Sequence, residues 1–199
     1  HVSQTYTFIA EHLNLDKKHL ERYDLHIPED IYQQTRQYLA GLVGRKVIIN
    51  IFAGHPDRSL SQAQLSSLIG KLQEAYPDVQ IILLDHRNEI RLPLPEKVSI
   101  NPFKTLHHAM ALIAEADLVI SPDTSVVHMA AAWRKPLVAV YKDVRMNNRL
   151  WAPGYDNARQ IIVKCGKVHQ MENLASLIMR EIEGGVLAKE PARDCLNDR

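Results

Sequence analysis

The chain has 199 residues, 46% hydrophobic and 24% charged, enough to bury a substantial core without disulfide or metal staples. Lys plus Arg (24) nearly balances Asp plus Glu (23), leaving a net charge of +1 that argues against a nucleic-acid binder or a strongly cationic membrane-surface protein. Two cysteines, one of them Cys195 in a polar tail, argue against a disulfide framework and fit a reducing, cytosolic compartment.

The chain opens on His1 without a basic, apolar and small-residue leader, so it reads as a segment of something longer whose missing part lies upstream. A short amphipathic stretch (5–15) and a polar connector come first. Pro28-Glu29-Asp30 then opens a predicted helix carrying Ile31, Thr35, Tyr38, Leu39 and Leu42 at helical spacing and ending at Gly44. Val47-Ile48-Ile49-Asn50-Ile51-Phe52 is a β-branched run suited to a strand covered on both faces. Ser61, three residues before Gln64, is a capping box for a helix to about Ala75. The unit then repeats: strands are predicted at 79–84, 98–100, 117–121, 136–141 and 161–163. Helices follow at 106–115 after Thr105, at 126–133, and near 171–182. The longest apolar runs, 46–53 and 135–141, are far shorter than the ~20 residues of a membrane span. Alternation at this spacing predicts an α/β fold with a doubly wound, mostly parallel sheet and right-handed crossovers. The domain is expected over 45–185, with residues 1–44 as connector and leading helices and 186–199 as a flexible tail.

The most informative segment runs from Leu118 to Ala132, where a strand ends, Pro122-Asp123-Thr124-Ser125 follows, and a helix begins. Open α/β sheets bind ligands in the crevice outside the carboxyl ends of their strands. The amides of Thr124, Ser125 and Val126, with the positive end of the helix dipole, suit a phosphate. His128 leans back toward the same rim, one turn after Thr124. Asp123 reads equally well as a simple N-cap.

Asp123-Thr124-Ser125-x-x-His128-x-Ala130-Ala131-Ala132, followed by Lys135-Pro136-Leu137-Val138-Ala139-Val140-Tyr141, is similar to the Asp-Thr-Gly-x-x-His-x-Ala-Ala signature of the heptosyltransferase family. The resemblance covers about 45–163. It implies the donor-binding, Rossmann-like half of a two-lobed GT-B glycosyltransferase, with the acceptor-binding N-terminal domain and the general base absent from this chain. It further implies an ADP-sugar donor, ADP-heptose in the first place, inverting transfer to the inner core of lipopolysaccharide or lipooligosaccharide, and neither metal nor other cofactor. It places the protein in the cytoplasm, at most peripheral at the inner membrane.

Carried over by position, Asp123, Thr124, Ser125 and His128 meet the diphosphate and sugar. Ser125 stands where the family has Gly. The loop 53–60, with Gly54, His55 and Arg58, stands where the family has a second donor contact with Lys before Trp-Pro. An Arg fork is a sound substitute for that Lys. Lys104 and Thr105 match the region facing adenine, and Asp85–Glu89 is an acidic loop able to meet ribose hydroxyls. Lys142 replaces a Gly, and the loop 145–153, with Arg149 and Trp151, faces either an acidic acceptor or solvent. His55, His86, His107, His108 and His128 lack zinc-ligand spacing. A UDP-sugar transferase or epimerase of the same fold, or a non-catalytic nucleotide-binding module, are the alternative readings.

Overall fold

The computed structural model describes residues 8–10, 12–13 and 23–186. The amphipathic opening 5–15 lies largely outside them, and of the tail expected at 186–199 only Val186 lies within them.

Six strands form one sheet: β1 (Lys46–Asn50), β2 (Gln80–Leu84), β3 (Val98–Ile100), β4 (Leu118–Pro122), β5 (Leu137–Lys142) and β6 (Ala158–Val163). They stand in the order β3-β2-β1-β4-β5-β6, and every neighbouring pair is parallel. The predicted α/β sheet is therefore observed. α1 (Glu29–Ala40) precedes β1; the crossovers that parallel neighbours need carry α2 (Gln62–Ala75), α3 (Leu106–Ala114), α4 (Ser125–Ala132) and α5 (Arg145–Leu150); and α6 (Leu174–Glu181) follows β6.

The apolar runs are continuous because successive side chains enter opposite layers. Val47, Ile49, Leu118, Ile120, Val138 and Val140 pack with Leu65, Leu68 and Leu72 of α2 and with Leu174 and Ile178 of α6. Ile48, Val119, Leu137, Ala139 and Tyr141 pack with Leu39 of α1, Leu112 and Ile113 of α3, and Val127 and Ala130 of α4. Burial of two such layers, at roughly 25 cal/mol per Å² of apolar surface, is the main drive for the fold.

Local signals hold at several ends. Ser61 and Gln64 form both halves of the capping box on α2, and the Thr105 side chain accepts from the His108 amide at the start of α3. The first helix ends at Ala40 rather than running to Gly44. Gly44 instead adopts φ +111° in the turn into β1, where a Cβ would lie 1.9 Å from the Asp78 carbonyl oxygen. One element was not anticipated: the polar loop at 145–153 begins with α5, whose Arg-Met-Asn-Asn-Arg-Leu sequence has no apolar stripe to announce it.

Candidate functional site

The chain builds outward from β1 through β2 to β3, then returns to lay β4 beside β1, so the order reverses between these two strands. Their carboxyl ends diverge into 51–60 and 122–125, opening the crevice typical of this topology. Asn50, last residue of β1 and 5% exposed, braces both loops. Its Nδ2 donates to the Phe52 carbonyl at 3.0 Å, to Ser121 Oγ at 3.1 Å and to Thr124 Oγ1 at 3.4 Å, while its Oδ1 accepts from the Phe52 amide at 3.1 Å. The sequence offered one signal for it, a lone polar residue in an otherwise apolar strand, and the sequence reading passed over it.

Thr124, not Asp123, is the N-cap of α4: its hydroxyl accepts from the Val126 amide at 3.2 Å. Ser121 Oγ donates to the Pro122 carbonyl at 2.8 Å and lies 3.1 Å from Thr124 Oγ1. The Thr124 hydroxyl is thus held inside the protein, and the Val126 amide is used by the cap. Two groups expected at the rim are engaged elsewhere. What faces outward is the Ser125 hydroxyl and the amides of Thr124 and Ser125, which have no partner among the described residues.

Asp123, released from capping, meets Arg58 across the crevice, Nη1 to Oδ2 at 3.3 Å. The guanidinium lies over Gly54, where a Cβ would stand 3.4 Å from Nη2. Burial holds the Asp123 carboxyl above its ordinary value, against the pull of Arg58 and then of His128. Burial also lowers the His128 imidazole below its ordinary 6.5, opposed by Asp123, so the ring is neutral near pH 7. Tyr23 Oη lies 3.0 Å from His128 Nδ1, and Trp151 meets the same ring at 66° with centroids 5.6 Å apart. Gly54, Arg58, Asp123, Thr124, Ser125, His128 and Trp151 surround one open pocket of about 390 Å³.

A larger cleft of about 450 Å³ adjoins it through the shared Gly54, Thr124 and Ser125. Its walls are largely apolar, including Phe52, Phe103, Leu106, Ala109, Val126 and Met129, with Lys104 and Thr105 on its edge. Phe103 stacks on His108, centroids 4.2 Å apart and planes 10° apart. The Thr105 hydroxyl is committed to its cap and to His108 Nδ1 at 2.7 Å. Lys104 Nζ donates to Asn88 Oδ1 at 3.3 Å. Of the acidic loop, Asp85, His86 and Arg87 line the cleft; Asp85 is buried, and its carboxylate accepts from the Glu89 and Ile90 amides at 3.0 and 2.9 Å, which commits it to folding the loop.

His55 lines neither space. Its Nδ1 accepts from the Asp57 amide at 3.2 Å and caps the 3-10 turn Pro56–Arg58. That turn is anchored from outside by contacts no local pattern signals. Asp57 bridges Lys142 of β5 at 3.4 Å and Lys167 at 3.2 Å, and the lysines, Lys167 foremost, hold its carboxyl below the ordinary range against burial. Arg149 lies on the exposed side of α5. Among the described residues no three His, Cys, Asp or Glu side chains converge on a metal position, and no helix is long and apolar enough to cross a membrane.

A polar pocket of about 390 Å³ beside an apolar cleft, at the switch point of a parallel sheet, suits a ligand with a charged middle and a flat apolar end. The fold resembles that of the Escherichia coli heptosyltransferase WaaC solved with ADP, at 20% identity, covering 90% of this chain and 55% of that one with a TM-score of 0.62. It also resembles a glycosyl transferase family 9 protein from Veillonella parvula DSM 2008, at 15% identity, covering 93% and 52% with a TM-score of 0.66. In sequence the chain is 28% identical over 167 residues to the Escherichia coli K12 protein named "Putative lipopolysaccharide heptosyltransferase 4", covering 81% of this chain and 46% of that protein. The chain thus spans about half the length of the relatives it matches. The profile of glycosyltransferase family 9 (heptosyltransferase) matches residues 1–178, and the chain belongs to that family.

Proposed function

We propose that this chain forms the donor side of an inverting glycosyltransferase and holds an ADP-activated heptose, or a closely related sugar, for transfer to the inner core of lipopolysaccharide or lipooligosaccharide. The observation that carries the reading is the convergence of Arg58, Thr124, Ser125 and His128 on one pocket that opens onto an apolar cleft. The diphosphate fits the first and the nucleoside the second, and the family supplies the reaction class. ADP is the nucleotide named for the solved WaaC relative, and it is carried to this chain as part of the proposal.

In the proposed reaction an acceptor hydroxyl attacks the anomeric carbon, the bond from that carbon to the diphosphate oxygen breaks with inversion, and negative charge builds on the departing diphosphate. Fixed amides and a guanidinium aimed at that charge stabilise it without reorganising, which is the most effective form of electrostatic catalysis. The base that takes the acceptor proton and the surface that binds the acceptor belong, in this reading, to a second lobe facing the crevice. The setting is the cytoplasmic side of the inner membrane. The donor side by itself lacks the geometric advantage of a positioned acceptor, so residues 1–199 tested alone are expected to bind nucleotide and transfer no sugar.

Calorimetric titration with ADP, UDP and CMP tests the reading. Tightest binding of ADP supports it. Preference for UDP points to a UDP-sugar transferase or epimerase, and no binding at all to an interaction module.

A further inference from the structure

Trp151 is the anomaly of the polar pocket. Large aromatic side chains dominate cores, and the chain's other tryptophan, Trp133, does pack against the layer built on α3 and α4. Trp151 instead remains 40% exposed among Arg58, Asp123, Ser125 and His128. A single exposed aromatic needs no explanation by itself. This one, however, is held in place. The fully buried Tyr141 donates its hydroxyl to the Trp151 carbonyl at 2.7 Å, fixing the backbone at the end of α5. His128 meets the indole at an interplanar angle of 66° with centroids 5.6 Å apart, a second contact that holds the ring.

A fixed, open aromatic surface beside a carboxylate, a hydroxyl and an imidazole matches one ligand chemistry. A sugar ring presents C–H groups to an apolar face and hydroxyls to polar neighbours. A nucleobase fits poorly here, because the apolar cleft with Phe52 and Phe103 lies on the other side of Thr124 and Ser125 and is the better match for a flat heterocycle. With the diphosphate at the amides of Thr124 and Ser125 between them, the two spaces take the two ends of a nucleotide sugar.

We infer that Trp151 is the platform on which the donor's sugar ring stacks; the assignment rests on the donor-binding reading above, in which Asp123 and His128 already meet the sugar. It makes Trp151 a residue that discriminates a nucleotide sugar from the bare nucleotide.

The test uses ADP and ADP-heptose on the full chain. In a Trp133→Phe variant Trp151 is the sole tryptophan, since the sequence has 2. ADP-heptose is expected to change its emission and ADP to leave it nearly unaltered. Trp151→Ala is expected to weaken ADP-heptose by about tenfold and ADP by no more than about twofold, with Trp151→Phe retaining most of the sugar increment. Equal weakening of both ligands in Trp151→Ala, or emission that responds identically to both, overturns the platform. If ADP itself does not bind the parent chain, the donor-binding reading fails first, and the platform with it.

Discussion

Arg58 and Asp123, 65 positions apart in the chain, meet through Nη1 and Oδ2 at 3.3 Å across the crevice between β1 and β4. The contact sets the charge of the pocket: a guanidinium that would otherwise be fully available to a diphosphate is partly neutralised by a carboxylate that would repel it. Arg58→Ala is expected to weaken ADP by about tenfold, the loss of one charge-assisted hydrogen bond, and to flatten the salt dependence. Asp123→Asn keeps the shape and removes the repulsion, so ADP affinity is expected to hold or rise. Titrations at low and high salt check both.

Asn50 and Thr124 are one unit in stability. Asn50→Ala strands the Phe52 amide and carbonyl and takes one donor from the Ser121 and Thr124 hydroxyls, which keep their other partners, at about 1–3 kcal/mol. Thr124→Ala removes the cap of α4, at about 1 kcal/mol. The side chains touch, so the double variant is expected to depart from additivity by at least about 0.5 kcal/mol. Urea unfolding of the parent, both single variants and the double variant measures this. Additive losses would show that the network is not shared.

Much of the sheet was legible because its signals are local. Strand periodicity, the Ser61–Gln64 box and the Thr105 cap are each decided within a few residues. The placement of Asp123–His128 at a crevice was legible because a helix start after a strand is itself a local event. What failed depends on distance or on a shift of one residue. Thr124 took the cap assigned to Asp123, and only the arrival of Arg58 explains what Asp123 does instead. Asp57 is fixed by Lys142, 85 positions away, which no spacing rule reveals. The α5 helix has two asparagines and no apolar stripe, so its position comes from tertiary contacts such as Gln160 Nε2 donating to the Asn148 carbonyl at 3.0 Å.

His128 carries a pH signature. Burial puts its folded value below the ordinary 6.5, so between the two values the unfolded chain holds a proton that the folded chain lacks. Stability therefore rises with pH through that window and is lost as pH falls through it. His128→Gln is expected to remove this slope, and the His128 ring protons to titrate below pH 6.5 by NMR. A midpoint above 6.5 would mean that Asp123 outweighs burial.

Gly44 is a structural requirement. At φ +111°, with the Asp78 carbonyl oxygen where a Cβ would go, Gly44→Ala must distort the turn into β1. A loss of about 1–3 kcal/mol is expected from backbone strain alone. Thermal unfolding checks it, and an unchanged midpoint would contradict the turn geometry.

In the proposed function the first turn of α4 and Arg58 hold a diphosphate, and a crystal structure of this chain with ADP checks this. The expected result places a phosphate oxygen within hydrogen-bonding distance, about 2.7–3.2 Å, of the Ser125 amide and of Arg58, with the adenine in the cleft beside Phe103. ADP bound with its phosphates away from Ser125 and Arg58, or with its base against Trp151, would contradict it.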